Sequence, residues 1–188
     1  MSKKKNITIE NVIVTDAGAK GKSVAKAPDG RVIFINNAIP GDVVDVQTTK
    51  KKSAYYEGFA IKFHEYSNRR VTPVCAHFGY CGGCKWQDMN YQSQLFYKQK
   101  EVENNLVRLG RIEIPAVMPI IGSDETYYYR NKMEFSFSDM RWLTPDEIKK
   151  ADEIDNRNAL GFHIAGAWDK ILDIDKCYLQ AEKENRPF

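Results

Sequence analysis

From residue 6 to residue 64 the apolar positions fall in short runs, several of them alternating with polar residues. Ile7, Ile9, Val12 and Val14 come first, followed by Ser23–Ala25, Val32–Ile35, Val43–Val46 and Tyr55–Phe63. Gly and Pro turns separate these runs, and no 3.6-residue period joins them, so they predict five strands. Five strands in about sixty residues fit a small closed barrel of the OB type, whose exposed face binds oligonucleotides. Gly18-Ala19-Lys20-Gly21-Lys22 lies between the first two runs. It lacks the spacing of a phosphate-binding loop and no helix pattern follows it, so it reads as a hairpin loop.

The pattern then changes. Tyr91–Leu109 predicts a helix, with Leu95, Val102, Leu106 and Leu109 on one face, Lys98, Lys100, Glu101 and Glu103 mostly outward, and Gly110 at the C-terminal stop. Tyr127–Ser138 alternates as a half-buried strand would, placing Met133, Phe135 and Phe137 on one face and Arg130, Lys132, Glu134 and Ser136 on the other. Thr144-Pro145-Asp146-Glu147 opens a short helix with a capping box and proline at the first helical position. Leu160–Ile164 and Ile171–Ile174 read as two further strands. The predicted fold is an OB-like β-barrel over residues 1–64, then a small α+β central domain over residues 65–188 that contains helix 91–109 and carries a metal-cluster loop.

That loop holds the candidate chemistry. Three of the 4 cysteines sit in Cys75-Ala-His-Phe-Gly-Tyr-Cys81-Gly-Gly-Cys84, and Cys177 stands alone far along the chain. Thiolates on a tight loop with Gly79, Gly82 and Gly83 can converge on one centre, and four sulfurs suit zinc or an iron–sulfur cluster. Zinc sites usually draw on two close pairs, whereas a group of three completed by one distant cysteine is the iron–sulfur pattern. Ordinary buried or disulfide-linked cysteine is the remaining reading. Against a disulfide, the chain opens Met-Ser-Lys-Lys-Lys-Asn without an apolar signal stretch, which predicts a reducing, cytoplasmic setting.

Charge adds one asymmetry. Residues 1–64 hold 11 Lys/Arg against 6 Asp/Glu, whereas residues 65–188 hold 17 against 19, and no run approaches a membrane span. On the barrel, Lys20, Lys22, Lys26, Arg31 and the run Lys50-Lys51-Lys52 offer cations to a phosphate backbone, with Tyr55 and Tyr56 beside them for base stacking. Adjacent residues in a strand point oppositely, so one of the two tyrosines packs inward. Arg130 and Lys132 share one face of their predicted strand and point two donors the same way, although Glu134 and Asp139 are close enough to compete for them. His64, His77 and His163 read as incidental, although His77 lies close enough to the cysteines to support the site from behind its ligands or, as the weaker alternative, to be a ligand itself.

Taken together, the basic five-stranded barrel, the Cys-x5-Cys-x2-Cys spacing, Tyr129-Arg130-Asn131-Lys132, Leu160-Gly161-Phe162 and Asp173 before Cys177 resemble the RNA uracil-5-methyltransferases that modify 23S ribosomal RNA. The resemblance implies that the barrel is a TRAM domain and that Cys75, Cys81, Cys84 and Cys177 ligate a [4Fe-4S] cluster. It implies ribosomal RNA, or tRNA, as partner, with Arg130 and Lys132 as expected RNA contacts, and a monomer. In that family an S-adenosylmethionine-binding domain with a nucleophilic cysteine follows. Such a domain is expected to begin beyond Cys177, and the chain ends at Phe188. The methyltransferase domain is therefore expected to be absent, no catalytic or S-adenosylmethionine-binding residue is assigned, and the chain alone is expected to be inactive. The alternative is a stand-alone zinc-stabilised RNA-binding module. A redox protein fits least, because ferredoxin-like chains have compact cysteine runs and no basic barrel.

Overall fold

The computed structural model describes residues 6–150, 154 and 156–181; the basic opening residues 1–5 lie outside them. Contacts divide the chain into two compact units, residues 1–72 with 88–122, and residues 73–87 with 123–188.

The first unit is built on the predicted barrel. Strands β1 (Thr8–Ala17), β2 (Ser23–Lys26), β3 (Val32–Asn36), β4 (Val43–Lys51) and β5 (Tyr55–Glu65) close in the order β1-β2-β3-β5-β4. Every pairing is antiparallel except β3 with β5, which runs parallel. Inward positions supply the core, among them Val12, Val14, Ala25, Ile33, Ile35, Val44, Val46 and Tyr56. Strict alternation cannot bury both Ile9 and Val12, which are three residues apart. The β1–β4 register shifts between them, and Asn11 takes a φ of 52° with its N–H donated to Asp45 Oδ1 at 2.9 Å. That bulge flips the pleat and returns Val12 to the core. The Gly18–Lys22 segment is a hairpin connection with one 3₁₀ turn, Ala19–Gly21.

A charged network follows the barrel. Asp42, wholly buried in the β3–β4 connection, accepts Arg70 Nε and Nη2 at 2.9 and 2.7 Å, and also the N–H groups of Ser67 and Ile39 at 3.0 and 2.7 Å. Arg70 Nη1 donates to Asp88 at 2.8 Å, and its guanidinium lies 4.9 Å from the Phe63 ring. Burial pushes the Asp88 carboxyl above the ordinary carboxylate range, and Arg70 opposes that rise. Backbone bonds from Val71 N to Asp88 O and from Asn90 N to Arg69 O fasten the two chain segments around this network.

Helix α1 (Tyr91–Asn104) starts at Asn90, whose side chain accepts Ser93 N at 2.9 Å, and runs into a π-helical turn over Asn105–Leu109. Its orientation corrects the sequence expectation. Tyr97 is the buried residue, and Lys100 on that side pairs with Asp16 at 2.7 Å, whereas Val102, Leu106 and Leu109 are exposed, Leu109 by 79%. The aliphatic stripe looks inward on a helical wheel, but the packed face carries an aromatic ring and an ion pair.

In the second unit, β6 (Ser136–Ser138), β7 (Ala159–Ile164) and β8 (Ala167–Asp173) form an antiparallel sheet in that order. Helix α2 (Pro145–Lys150) has the predicted capping box, with Thr144 N and Oγ1 donating to Glu147 Oε2 at 2.8 and 2.9 Å. The long strand expected over Tyr127–Ser138 is a misreading except at its end. Tyr128 sits at φ 58°, and the N–H groups of Tyr128 and Arg130 bond to Tyr178 and Leu179, so this segment borders the stretch after Cys177 instead of extending the sheet. Phe137 is 83% exposed, opposite to its expected placement. Among the described residues no helix is long and apolar enough to cross a membrane.

Asp42→Ala removes both guanidinium bonds and the acceptor of two buried N–H groups. It is expected to destabilise the first unit by about 3–5 kcal/mol, the cost of leaving a buried charge without its partner. An unchanged midpoint in urea denaturation monitored by intrinsic fluorescence would remove this network from the account of stability.

Candidate metal centre and nucleic-acid interface

The cysteine loop is held by backbone bonds at several points within the second unit. Phe78 N donates to Cys75 O, Cys81 N to His77 O, Gly82 N to His163 O at 2.9 Å and Ala165 N to Tyr80 O at 3.0 Å, so the loop lies along the end of β7. Gly79 makes the turn at a φ of +95°, a conformation few side chains tolerate. The last bonds place Cys81 opposite Ile164.

All four cysteines line one small cavity of about 60 Å³, walled by Phe78, Met133, Phe162, Ile174 and Leu179. That volume is far below the several hundred Å³ of a nucleoside or cofactor pocket, and suits a compact inorganic group. The four cysteines form no disulfide among the described residues and are half-buried. Burial pushes the Cys75 and Cys81 thiols up from their ordinary value. Among the described residues, no set of three or more His, Cys, Asp or Glu side chains is drawn together at ion-holding distance. The donor set nevertheless fits a thiolate-ligated group. The described lining holds no carboxylate and four thiols, Gly83 N donates to Cys81 Sγ at 3.4 Å, and Gln87 Nε2 donates to Cys84 Sγ at 3.2 Å. Donors aimed at sulfur are the usual surroundings of metal-bound thiolate.

Two residues around these thiols hold the site together, Gln87, which motif spacing does not disclose, and His77, which its position among the cysteines does. Gln87 reaches Cys84 with its amide nitrogen and accepts Cys75 N with its oxygen at 3.3 Å, bracing two of the three loop cysteines. His77 Nε2 accepts Asp175 N at 3.2 Å, which ties the loop to the segment leading into Cys177. A polar residue three positions after Cys84 was the only sequence signal for Gln87. Gly161 has the other local constraint: a Cβ there would collide with the Leu172 carbonyl across the β7–β8 pair and crowd Ile174, a wall of the cavity.

On the barrel, the predicted RNA-contact residues divide by their partners. Lys22 and Lys50 both pair with Glu57, at 2.8 and 3.5 Å, and Glu57 is held below the usual carboxylate range chiefly by Lys22. Lys20, Lys51 and Lys52 are exposed and take part in no ion pair among the described residues. Tyr56 is the inward tyrosine. Its hydroxyl donates to Asp29 at 2.8 Å and its ring stacks under the Arg31 guanidinium, while Arg31 Nη1 donates to the Lys52 carbonyl at 3.1 Å. Asp29 is held well below the ordinary carboxylate range by its bonds to Arg31. Arg31 is thus occupied in fixing the lysine hairpin. Tyr55, half-exposed, meets Phe34 edge-on at 5.6 Å. In the second unit Arg130 is exposed, and Lys132 pairs with Glu134 at 2.8 Å, the competing partner anticipated for it.

Residues 3–61 match the TRAM domain family. Along most of its length the chain is similar to proteins named RNA methyltransferases. It is 54% identical over 168 residues to an uncharacterized RNA methyltransferase of Bacteroides thetaiotaomicron, covering 89% of this chain and 37% of that protein. It is 36% identical over 157 residues to the 23S rRNA (uracil(1939)-C(5))-methyltransferase RlmD of Acidovorax sp., covering 81% of this chain and 29% of that protein. The crystal structure of Pyrococcus abyssi tRNA (uracil-54, C5)-methyltransferase in complex with S-adenosyl-L-homocysteine shares the fold at a TM-score of 0.54 and 21% identity, over 94% of this chain and 34% of that one. The chain therefore spans about a third of the length of the proteins it matches.

Gly161→Ala is expected to open the β7–β8 pair and cost about 3 kcal/mol, at the upper end for an added methyl in a closed site. Amide hydrogen exchange in residues 159–173 should rise together with the reactivity of all four thiols. Unchanged exchange would mean that the sheet yields elsewhere.

Proposed function

We propose that the chain, whose residues 3–61 match the TRAM domain family and which is similar along most of its length to proteins named RNA methyltransferases, is the RNA-binding, cluster-bearing part of an S-adenosylmethionine-dependent ribosomal RNA uracil-5-methyltransferase. The observation that carries the reading is the joint occurrence of the TRAM match with four cysteines around one cavity. Cys75, Cys81, Cys84 and Cys177 would hold a [4Fe-4S] cluster, which when bound supplies a compact covalent tie among four thiolates. Gln87 and the Gly83 N–H donate to the sulfurs of Cys84 and Cys81 and would stabilise their thiolate form, and His77 holds the segment leading to Cys177 beside the loop. Phe78, Met133 and Phe162 give the cavity an apolar wall beside the sulfurs.

RNA binding falls to the barrel first. Lys20, Lys51 and Lys52 are available to phosphates without breaking an ion pair, Lys22 and Lys50 only in competition with Glu57, and Tyr55 offers one ring face to a base. Arg130 adds a cation from the second unit, and Lys132 adds one in competition with Glu134. Methyl transfer itself, with S-adenosylmethionine as donor and a uridine of ribosomal RNA as acceptor, is assigned to the whole protein of which the relatives are examples. The chain by itself is proposed to lack that activity.

The metal is tested directly. Anaerobically purified chain is expected to be brown and to carry about four iron per chain, with Cys177→Ser losing most of it. One tightly held zinc and no iron would replace the cluster by the zinc-stabilised module.

RNA contact is tested by salt. For single-stranded ribosomal RNA, each lost phosphate contact lowers the slope of log affinity against log salt by about 0.7. Lys51→Ala with Lys52→Ala should flatten the slope by roughly 1.4, and Lys22→Ala by less, because Glu57 already engages that ammonium. Tyr55→Ala should cost about 1–3 kcal/mol with the slope unchanged. Equal slopes in all variants would move the interface off the barrel.

A further inference from the structure

The segment from α1 to residue 122 carries far more uncovered apolar surface than a solvent-facing element needs. At 3.6 residues per turn, Phe96, Val102, Leu106 and Val107 fall within one half of the helix, opposite the buried Tyr97, and all four are exposed. Residues 111–122 have no regular secondary structure. They return along the same helix, with Ile112 N donating to Leu106 O at 3.2 Å, Ile120 N donating to Gln99 Oε1 at 2.8 Å, and Gly122 lying beside Leu95 and Tyr91. Met118 is 84% and Ile121 94% exposed. Helix and returning segment thus form one plank with an apolar outer side.

Three observations select what covers it. The segment Arg111–Gly122 contains only two charged residues, Arg111 and Glu113, so it offers almost nothing to a phosphate backbone. Pro115 and Pro119 remove two N–H groups and bar continuous strand pairing, so side-chain packing must do the covering. The relatives extend well beyond the matched region, which is 37% of the Bacteroides protein. A monomer seldom exposes a contiguous apolar surface of this kind unless it is an interaction site.

We infer that residues 91–122 are a docking plank for the part of the longer proteins that this chain does not match, a folded protein domain that buries Phe96, Leu106, Met118 and Ile121 against its own apolar surface. The plank joins the barrel through Tyr97 and the Lys100–Asp16 pair, so it serves as a stiff connector with one side committed to each neighbour.

The test compares this chain alone with a chimaera in which its 188 residues replace the matched region of the Bacteroides relative. Amides of residues 105–121 should exchange at least tenfold more slowly in the chimaera. Leu106→Asp with Ile121→Asp should abolish that gain and lower the chimaera's melting temperature, yet leave the melting temperature and RNA affinity of the short chain unchanged. Leu106→Met, which keeps the apolar contact, should keep the protection. If the chimaera does not fold, the full-length Bacteroides relative supplies the same exchange measurement at its aligned residues. Equal exchange in the short and long proteins overturns the inference. So does concentration-dependent dimerisation of the short chain that the Asp substitutions abolish, since a second copy would then be the occupant. Loss of RNA affinity in the short Asp variant also overturns it, by making the plank an RNA surface. Because RNA affinity is measured separately, failure here leaves the RNA reading intact.

Discussion

Everything around the end of the barrel depends on one buried carboxylate. Asp42 is wholly buried, so its bonds come from the protein: the N–H groups of Ile39 and Ser67 and the fork of Arg70. A buried ion pair is not automatically stabilising, because desolvation can match the attraction. Here the geometry favours it, since one carboxylate receives two guanidinium bonds and two backbone bonds, and Asp88 takes a further Arg70 nitrogen. The network fixes where the chain leaves the barrel and where it returns as Asn90 caps α1. The cysteine loop is the excursion between those two fixed points.

Much of the barrel was legible because its strands are half-buried, and alternation is a direct imprint of that state. Val32–Ile35 and Tyr55–Phe63 read correctly, and the inward turn of Tyr56 follows from the pleat. What alternation cannot reveal is the bulge at Asn11, which depends on the carboxylate of Asp45 in a strand distant in sequence. Nor can it reveal that β3 and β5 run parallel.

Legibility fell where the partners are tertiary. Tyr127–Ser138 alternates convincingly, but alternation records only which residues are apolar, and Tyr128 at positive φ sends the segment toward Tyr178 instead. The wheel of α1 sorted its residues into an apolar and a polar side and turned the apolar side inward, whereas the buried side carries Tyr97 and the Lys100–Asp16 pair. The candidate site was legible through its cysteines, because their spacing survives any ambiguity of secondary structure. Gln87 was not, because a glutamine in a loop has no pattern to mark it.

The parallel pairing of β3 with β5 also governs the order in which the barrel can be completed. Among the described residues β5 alone pairs with both β3 and β4, so until Tyr55–Glu65 is in place the other four strands form an open sheet with two bare edges. On a ribosome that interval begins once Lys51 has emerged and ends only when the last strand follows it. During it, unpaired N–H and C=O groups on β3 and β4 are a template for pairing with a neighbouring chain. The lysine hairpin Lys50-Lys51-Lys52 sits at the exit of β4, where like charge would keep two such unfinished sheets apart.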